Sequence, residues 1–253
     1  MAKNKHPKRE LLMVGDSASF QFNEAYKSLR TNLEFLAATS DCKSILVTSS
    51  VPTEGKSNVA VNLACTMAAA GKKVILMDCD LRKGTLGHYL HLRRGAPGLT
   101  GKVSGAADWN DICYSIPHVD NLTVIPTGPL PPNPSELLAS RQMGALFEEL
   151  KAHCDALIID TPPVSLVTDA AVLSRYTDGV ILVVRPEVTT IQGAQLSKKN
   201  LEAVDAHILG VVINGYDTKK SSKKDGYYYS YNYYGYYDDD GSSGKSKSKG
   251  KSK

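Results

Sequence analysis

The stretch Ile45-Leu-Val-Thr-Ser-Ser50-Val-Pro-Thr-Glu-Gly-Lys-Ser57 decides the fold. A short apolar run, as of a buried strand, leads straight into Ser50-Val-Pro-Thr-Glu-Gly-Lys-Ser57, and an alanine-rich helical pattern follows. The octapeptide matches the phosphate-loop pattern G-x-x-x-x-G-K-[ST] everywhere except its first position, where Ser50 replaces Gly. Each residue type has a chemical reason. Gly55 lets backbone N–H groups close around a phosphate, Lys56 reaches the β- and γ-phosphates, and Ser57 offers a Mg²⁺ ligand. The following helix points its positive end at the nucleotide. Thr53, Glu54 and Asn58 flank these three and are counted with them as nucleotide contacts. Strand before and helix after make the match specific; Gly-Lys-Ser alone would be weak.

Outward from this loop, apolar and helical stretches alternate. A helix is expected from Asn23, with Asn23 as its N-cap and Ala25, Leu29, Asn32, Leu33 and Leu36 at three- and four-residue spacing. Gly71 suits the C-terminal cap of the phosphate-loop helix. Val74–Asp78, Leu122–Pro126, Ala156–Asp160, Gly179–Val184 and Ile208–Ile213 read as further buried strands, and Asn133-Pro134 opens another helix. Continuously apolar strands alternating with helices imply an α/β fold, a doubly wound and mainly parallel sheet with helices on both faces, of the P-loop NTPase type. Ligands of such sheets bind beyond the strand C-termini. Asp78, Asp160 and Asn214, each ending a strand, therefore converge on the phosphate loop. Asp80 adds a carboxylate, and carboxylates crowded beside phosphates call for a cation. The plainer reading of Asp78 and Asp80 is a solvated turn or an ion pair with Arg82; for Asn214 it is a strand-end cap.

Composition sets the bounds. The chain has 253 residues, 42% of them apolar, enough for one large domain with extended ends. The reading divides it into an arm at 1–19, an ATP-binding domain at 20–218 and a tail at 219–253, expected to be disordered. No apolar run approaches the roughly 20 residues of a membrane span, and Met1-Ala-Lys-Asn-Lys-His lacks a secretory core, so a cytoplasmic protein is expected. The five cysteines are scattered with no C-x-x-C pair, which favours reduced, mostly buried thiols over disulfides or zinc. The formal charge of +4 hides an asymmetry. Residues 219–253 hold nine Lys and four Asp and residues 1–9 four cations, so the body between them is acidic. No nucleic-acid partner is expected of it.

Glu24-Ala-Tyr-Lys-Ser-Leu-Arg30, the phosphate loop and Ile75-Leu-Met-Asp78-Cys-Asp80-Leu-Arg82 carry a family resemblance, joined by three more stretches. These are Pro131-Pro-Asn-Pro-Ser-Glu-Leu-Leu138, Leu157-Ile-Ile-Asp160-Thr-Pro-Pro163 and Val167-Thr-Asp169-Ala170. Together they resemble the bacterial tyrosine kinases of capsule and exopolysaccharide synthesis, in the form where the kinase is a separate cytoplasmic chain. The likeness runs from about Asn23 to Asp217 and resumes in the tyrosine-rich tail. It implies a protein-tyrosine kinase using ATP and Mg²⁺. Lys56 would neutralise the transferring phosphoryl group; Ser57, Asp78, Asp80 and Asp160 would handle Mg²⁺. One of the paired Asp would be the base for the tyrosine hydroxyl, and Asn214 would contact the nucleobase. The resemblance further implies a ring-like homo-oligomer packed through Glu24, Lys27 and Arg30, although Lys27 stands where the family has Arg. A transmembrane polysaccharide co-polymerase would activate the kinase and hold it at the inner face of the membrane. A cognate tyrosine phosphatase would reverse its action, and the whole would regulate polysaccharide synthesis and export.

Eight of the eleven residues from 227 to 237 are tyrosine: Tyr227, Tyr228, Tyr229, Tyr231, Tyr233, Tyr234, Tyr236 and Tyr237. Beside an ATP site this cluster reads as a multisite phospho-acceptor; alone, it equally reads as an adhesive aromatic segment. Three rivals share the phosphate-loop signature. A septum-placement or plasmid-partition ATPase carries an early loop Lys where this chain has Val51. A scaffold gating polysaccharide export would keep the same ATP site, and a metal-cluster carrier is disfavoured by the cysteine spacing.

Overall fold

The computed structural model describes residues 13–93 and 95–216. The basic ends and the tyrosine cluster lie outside them. In chain order the elements are α1 (Phe20–Ser40), β1 (Ser44–Ser49), α2 (Lys56–Ala69), β2 (Val74–Asp78), α3 (Leu86–Tyr89), α4 (Leu99–Val103), α5 (Trp109–Ile112) and β3 (Tyr114–Ser115). They continue with β4 (Leu122–Ile125), α6 (Pro134–Leu138), α7 (Arg141–His153), β5 (Ala156–Asp160), α8 (Asp169–Ser174), β6 (Gly179–Val184), α9 (Ile191–Glu202) and β7 (Ile208–Ile213). The strands form one sheet in the order β3-β4-β2-β5-β1-β6-β7, parallel throughout except for β3 against β4. The six expected strands are all present. The two-residue β3 was not foreseen, because it is too short to show a period.

The apolar runs are continuous because both sheet faces are covered. Leu157 and Ile159 of β5 feed one core with Ile75, Met77, Leu182 and Phe147. Ala156 and Ile158 feed the other with Val47, Leu63, Val74 and Val183. Alternate residues of one strand thus enter opposite cores, as the two-residue side-chain period requires. Helix α2 is buried over most of its length between the sheet and α1. It ends as expected: Gly71 adopts a left-handed φ of 87°, and its N–H donates to the Ala68 carbonyl. Asn133-Pro134 likewise opens α6, with Pro134 in the first turn.

The start of α1 differs from expectation. Ser19 is the N-cap, in extended backbone with its hydroxyl accepting from the Phe22 N–H, and the helix begins at Phe20. Asn23 lies inside the first turn. Its amide is bonded in both directions to the Gly15 backbone, at 2.9 and 3.0 Å, so it fixes the incoming chain and leaves the cap to Ser19. The stretch 13–19, grouped above with the arm, meets the domain: Met13 and Val14 pack on the second core, and the Val14 N–H donates to Asn62 at 2.7 Å.

Leu157 is fully buried in the central strand β5. Leu157→Ala is expected to lower unfolding free energy by about 2–5 kcal/mol with little change in the urea m-value. A loss below about 1 kcal/mol in urea melts would contradict the packing described.

Candidate active site at the strand C-termini

The register of the sheet builds the site. β2 and β5 are neighbours, and their last residues, Asp78 and Asp160, stand side by side. β5 also pairs with β1, which delivers the phosphate loop next to Asp160. Gly55 precedes α2 with φ 89°, and a Cβ there would lie 2.1 Å from the Asn214 amide nitrogen. Only glycine fits, for reasons of both backbone and space.

Lys56 projects from the first turn of α2 into the carboxylates. Its Nζ lies 3.1 Å from Asp80 Oδ2 and 3.3 Å from Asp160 Oδ1, and it donates to the Ser57 hydroxyl at 3.2 Å. Asp160 also shares a hydrogen bond with Ser57. Asp78 has a different environment. One oxygen accepts from the Thr85 and Leu86 N–H groups at 2.9 and 3.0 Å, and the other from Asp80 N–H at 3.1 Å. Asp80 Oδ1 in turn accepts from Lys83 N–H at 3.0 Å. Asp78 therefore holds the loop after β2 while Asp80 faces Lys56. The alternative ion pair of these aspartates with Arg82 is not formed. Arg82 binds Asp169 instead, through Nε at 3.0 Å and a second nitrogen at 3.3 Å.

Electrostatics follow from this crowding. Burial, then the charge of Asp160, pushes the Asp78 carboxyl up to about 7, against the pull of backbone N–H groups and Lys56. Burial raises Asp160 as well, with Lys56 pulling the other way. Burial works against the Lys56 charge, but Asp160, Asp80 and Asp78 outweigh it and hold the ammonium above its ordinary value.

The donor set fits a divalent cation. Asp160 Oδ2 is buried with no hydrogen-bond partner, next to the Ser57 hydroxyl, and hard oxygens of this kind are what Mg²⁺ prefers. Among the described residues no three His, Cys, Asp or Glu side chains make a metal cage by themselves.

The other expected residues fall into three groups. Glu54 is fully buried at the base of the loop, where its carboxylate accepts from Val51 N–H at 2.8 Å and from the Thr189 hydroxyl. Asn214 reaches the same loop, its amide donating to the Glu54 carbonyl at 2.8 Å, and Thr53 takes a left-handed φ of 72°. Asn58 belongs to α2, and its side chain accepts from Tyr26 and Asn62. Glu24, Lys27 and Arg30 lie along α1. Lys27 pairs with Glu24 at 2.6 Å, while Arg30 donates to the Thr66 carbonyl at 3.2 Å and approaches Glu34. Sequence reading missed the Glu54–Thr189 link, the Ser165 hydroxyl on the Ser50 carbonyl, and the Arg82–Asp169 pair. All three join residues more than 80 positions apart, beyond any local pattern.

Residues 43–209 match the AAA domain family. The tyrosine-protein kinase YwqD of Bacillus subtilis is 39% identical over 207 residues, covering 82% of this chain and 85% of that one. The chain belongs to the bacterial tyrosine kinases. The solved kinase domain of the Escherichia coli tyrosine kinase ETK superposes with TM-score 0.73 at 33% identity, over 80% of this kinase and 78% of that chain. The tyrosine-protein kinase Wzc of Salmonella typhimurium is 33% identical over 229 residues, which are 90% of this kinase and 31% of Wzc. The same domain is therefore one part of a longer chain there.

Replacing Lys56 tests the electrostatics of the kinase without nucleotide. In the folded protein Asp78 keeps its proton to about 7, well above the ordinary value of 3.8 in the unfolded chain, and burial shifts Asp160 in the same direction. Stability from this pair is thus present at low pH and falls as pH rises toward about 7. Lys56→Met removes the charge that restrains both shifts. We expect it to cost about 3 kcal/mol near pH 8 and clearly less near pH 5.5, in urea melts across that range. A pH-independent difference would contradict the account.

Proposed function

We propose that this chain transfers the γ-phosphoryl group of ATP to protein tyrosine hydroxyls, first among them the eight tyrosines of 227–237. The observation that carries the reading is Lys56 held between Asp80 and Asp160 at the mouth of the phosphate loop, beside an Asp160 oxygen that lacks a partner. A triphosphate entering the loop would compete for Lys56 and draw it from the carboxylates, where it would neutralise the moving phosphoryl group. Ser57 and Asp160 would hold Mg²⁺, with Asp80 close by. When bound, the ion would offset phosphate charge and orient the phosphoryl group. Asp78 supports the reaction by fixing the loop that carries Asp80, and Asp80, freed from Lys56, is the candidate acceptor of the tyrosine proton. Asn214 and the loop residues Thr53, Glu54, Gly55 and Asn58 complete the proposed nucleotide site.

The family resemblance supports the rest of the reading: transfer in trans within a ring-like homo-oligomer, activation by a transmembrane polysaccharide co-polymerase, and reversal by a tyrosine phosphatase. The occurrence of the domain inside the longer Wzc chain accords with a partner supplied separately here. No helix among the described residues is long and apolar enough to cross a membrane, so location at the inner membrane face would depend on that partner. The three α1 residues proposed for ring packing already hold partners within the chain, Glu24 and Lys27 each other and Arg30 the Thr66 carbonyl, so assembly would require them to be shared. Each phosphate added to the tail brings about −1.5 to −2 charge. A few would reverse its net positive charge and set it against the acidic body.

Intact-mass spectrometry after incubation with Mg²⁺-ATP tests the reading, on wild type and Lys56→Met, with and without the cytoplasmic segment of a co-polymerase. We expect successive phosphate additions on wild type that map to 227–237, and none on the variant. ATP hydrolysis without any phosphate addition would overturn the kinase reading.

A further inference from the structure

Three residues from the stretches that set this sequence apart, Arg82, Ser135 and Asp169, have no part in the chemistry described so far. In the fold they meet at one point. Asp169 begins α8, Ser135 lies in the first turn of α6, and Arg82 sits in the loop after β2. The Asp169 carboxylate is fully buried. It accepts from Arg82 through two nitrogens, at 3.0 and 3.3 Å, and from the Ser135 hydroxyl at 2.7 Å. Arg82 also reaches the Ser135 oxygen at 2.8 Å, closing a three-membered network. A buried carboxylate needs such a partner, and a forked guanidinium on a carboxylate fixes direction as well as distance.

We infer that Arg82, anchored by Asp169 and Ser135, is the positioning residue for Asp80. The inference rests on the kinase reading above. Residues 80–83 form one turn, closed by the Lys83 N–H on the Asp80 carbonyl at 3.1 Å. Arg82 is the third residue of that turn, and Asp80 is its first. The turn is held at its base by Asp78, through the Asp80, Thr85 and Leu86 N–H groups. A base alone leaves the turn free to swing about β2's end; the Arg82 fork supplies the second point of attachment, 87 positions along the chain at α8. Asp80 is thereby set against Lys56 at 3.1 Å. The network ties together the loops that follow β2, β4 and β5. It also neutralises Asp169, so the latter adds no unpaired negative charge to the cluster around Asp160. The Arg82 side chain is 40% exposed, so its own desolvation is slight, whereas Asp169 is enclosed. The pair therefore holds the loop at low cost while remaining sensitive to geometry.

The test uses Arg82→Lys, which keeps the charge and loses the fork, Asp169→Asn, which keeps the shape, and the double variant, all in the full chain. Arg82→Ala is avoided because it would leave Asp169 buried and alone. Three quantities are read: kcat and ATP KM for tyrosine phosphorylation, Mg²⁺-ADP affinity by calorimetry, and Tm. A misplacement near 1 Å at a reacting group costs about 100-fold. We expect kcat to fall on that scale in each single variant, with ATP KM and Mg²⁺-ADP affinity held near wild type. The double variant should lose no more than the worse single, because both changes cut one link. Ser135→Ala should lose less, since Arg82 keeps both bonds to Asp169. Wild-type kcat in Arg82→Lys and Asp169→Asn would overturn the inference and leave the kinase reading standing. Losses that follow Tm and nucleotide affinity together would overturn it too, as plain structural damage. A wild-type chain that transfers no phosphate overturns the kinase reading and this inference with it.

Discussion

Two carboxylates placed side by side by strand register are the constraint on which the rest of the structure depends. Asp78 and Asp160 close adjacent parallel strands, so neither can move away from the other without breaking the sheet. Burial would ordinarily force such a pair to take up protons. Three devices moderate this: Lys56 reaches in from α2, Ser57 donates to Asp160, and three backbone N–H groups cap Asp78. What is left over is a strained charge distribution with one Asp160 oxygen unsatisfied. A site of this kind is poor as a stabilising element and well suited to a cation that arrives with phosphates.

The surrounding fold can be understood as the frame that keeps this arrangement dry and rigid. Both sheet faces are packed, α2 is enclosed between sheet and α1, and the loops beyond the strand ends are cross-tied over long sequence distances. Glu54 joins the phosphate loop to Thr189, Asn214 joins it to the end of β7, and Ser165 joins its first residue to the loop after β5. Arg82 does the same for the loop carrying Asp80. Each tie satisfies polar groups that folding buries, Glu54 and Asp169 among them, more than it adds net stability. Their value lies in restricting the loops to the geometry that phosphoryl transfer needs, where positioning and electrostatics supply nearly all of the catalysis.

Much of this was legible in the chain itself. The six long strands were readable because each is a short apolar run between polar turns, and the phosphate loop because backbone geometry and phosphate chemistry leave few alternatives at Gly55, Lys56 and Ser57. The convergence of Asp78 and Asp160 followed from parallel strands sharing one C-terminal edge. Other features were not readable, each for a physical reason. β3 is too short to have a period. Ser19 and Asn23 are both competent caps, and the choice between them was made by the Gly15 backbone, a contact that the helix pattern does not encode. The contrast between Asp78, which holds a loop, and Asp80, which meets Lys56, depends on where each side chain points. The Asn214 amide donates to the Glu54 carbonyl of the phosphate loop, 160 positions away, a contact that no local pattern encodes.

The central claim is that burial and the neighbouring Asp160 charge keep the Asp78 carboxyl protonated toward neutrality, with Asp160 shifted in the same direction, until a cation enters. Calorimetry of preformed Mg²⁺-ADP binding, repeated in buffers of different protonation enthalpy from about pH 6 to about pH 8, counts the protons exchanged. The account predicts proton release on binding that is largest near pH 6 and fades toward pH 8, and that is strongly reduced in Asp160→Asn. A proton count near zero and unchanged across that range would mean that the pair is already fully ionised without nucleotide, and would contradict the account.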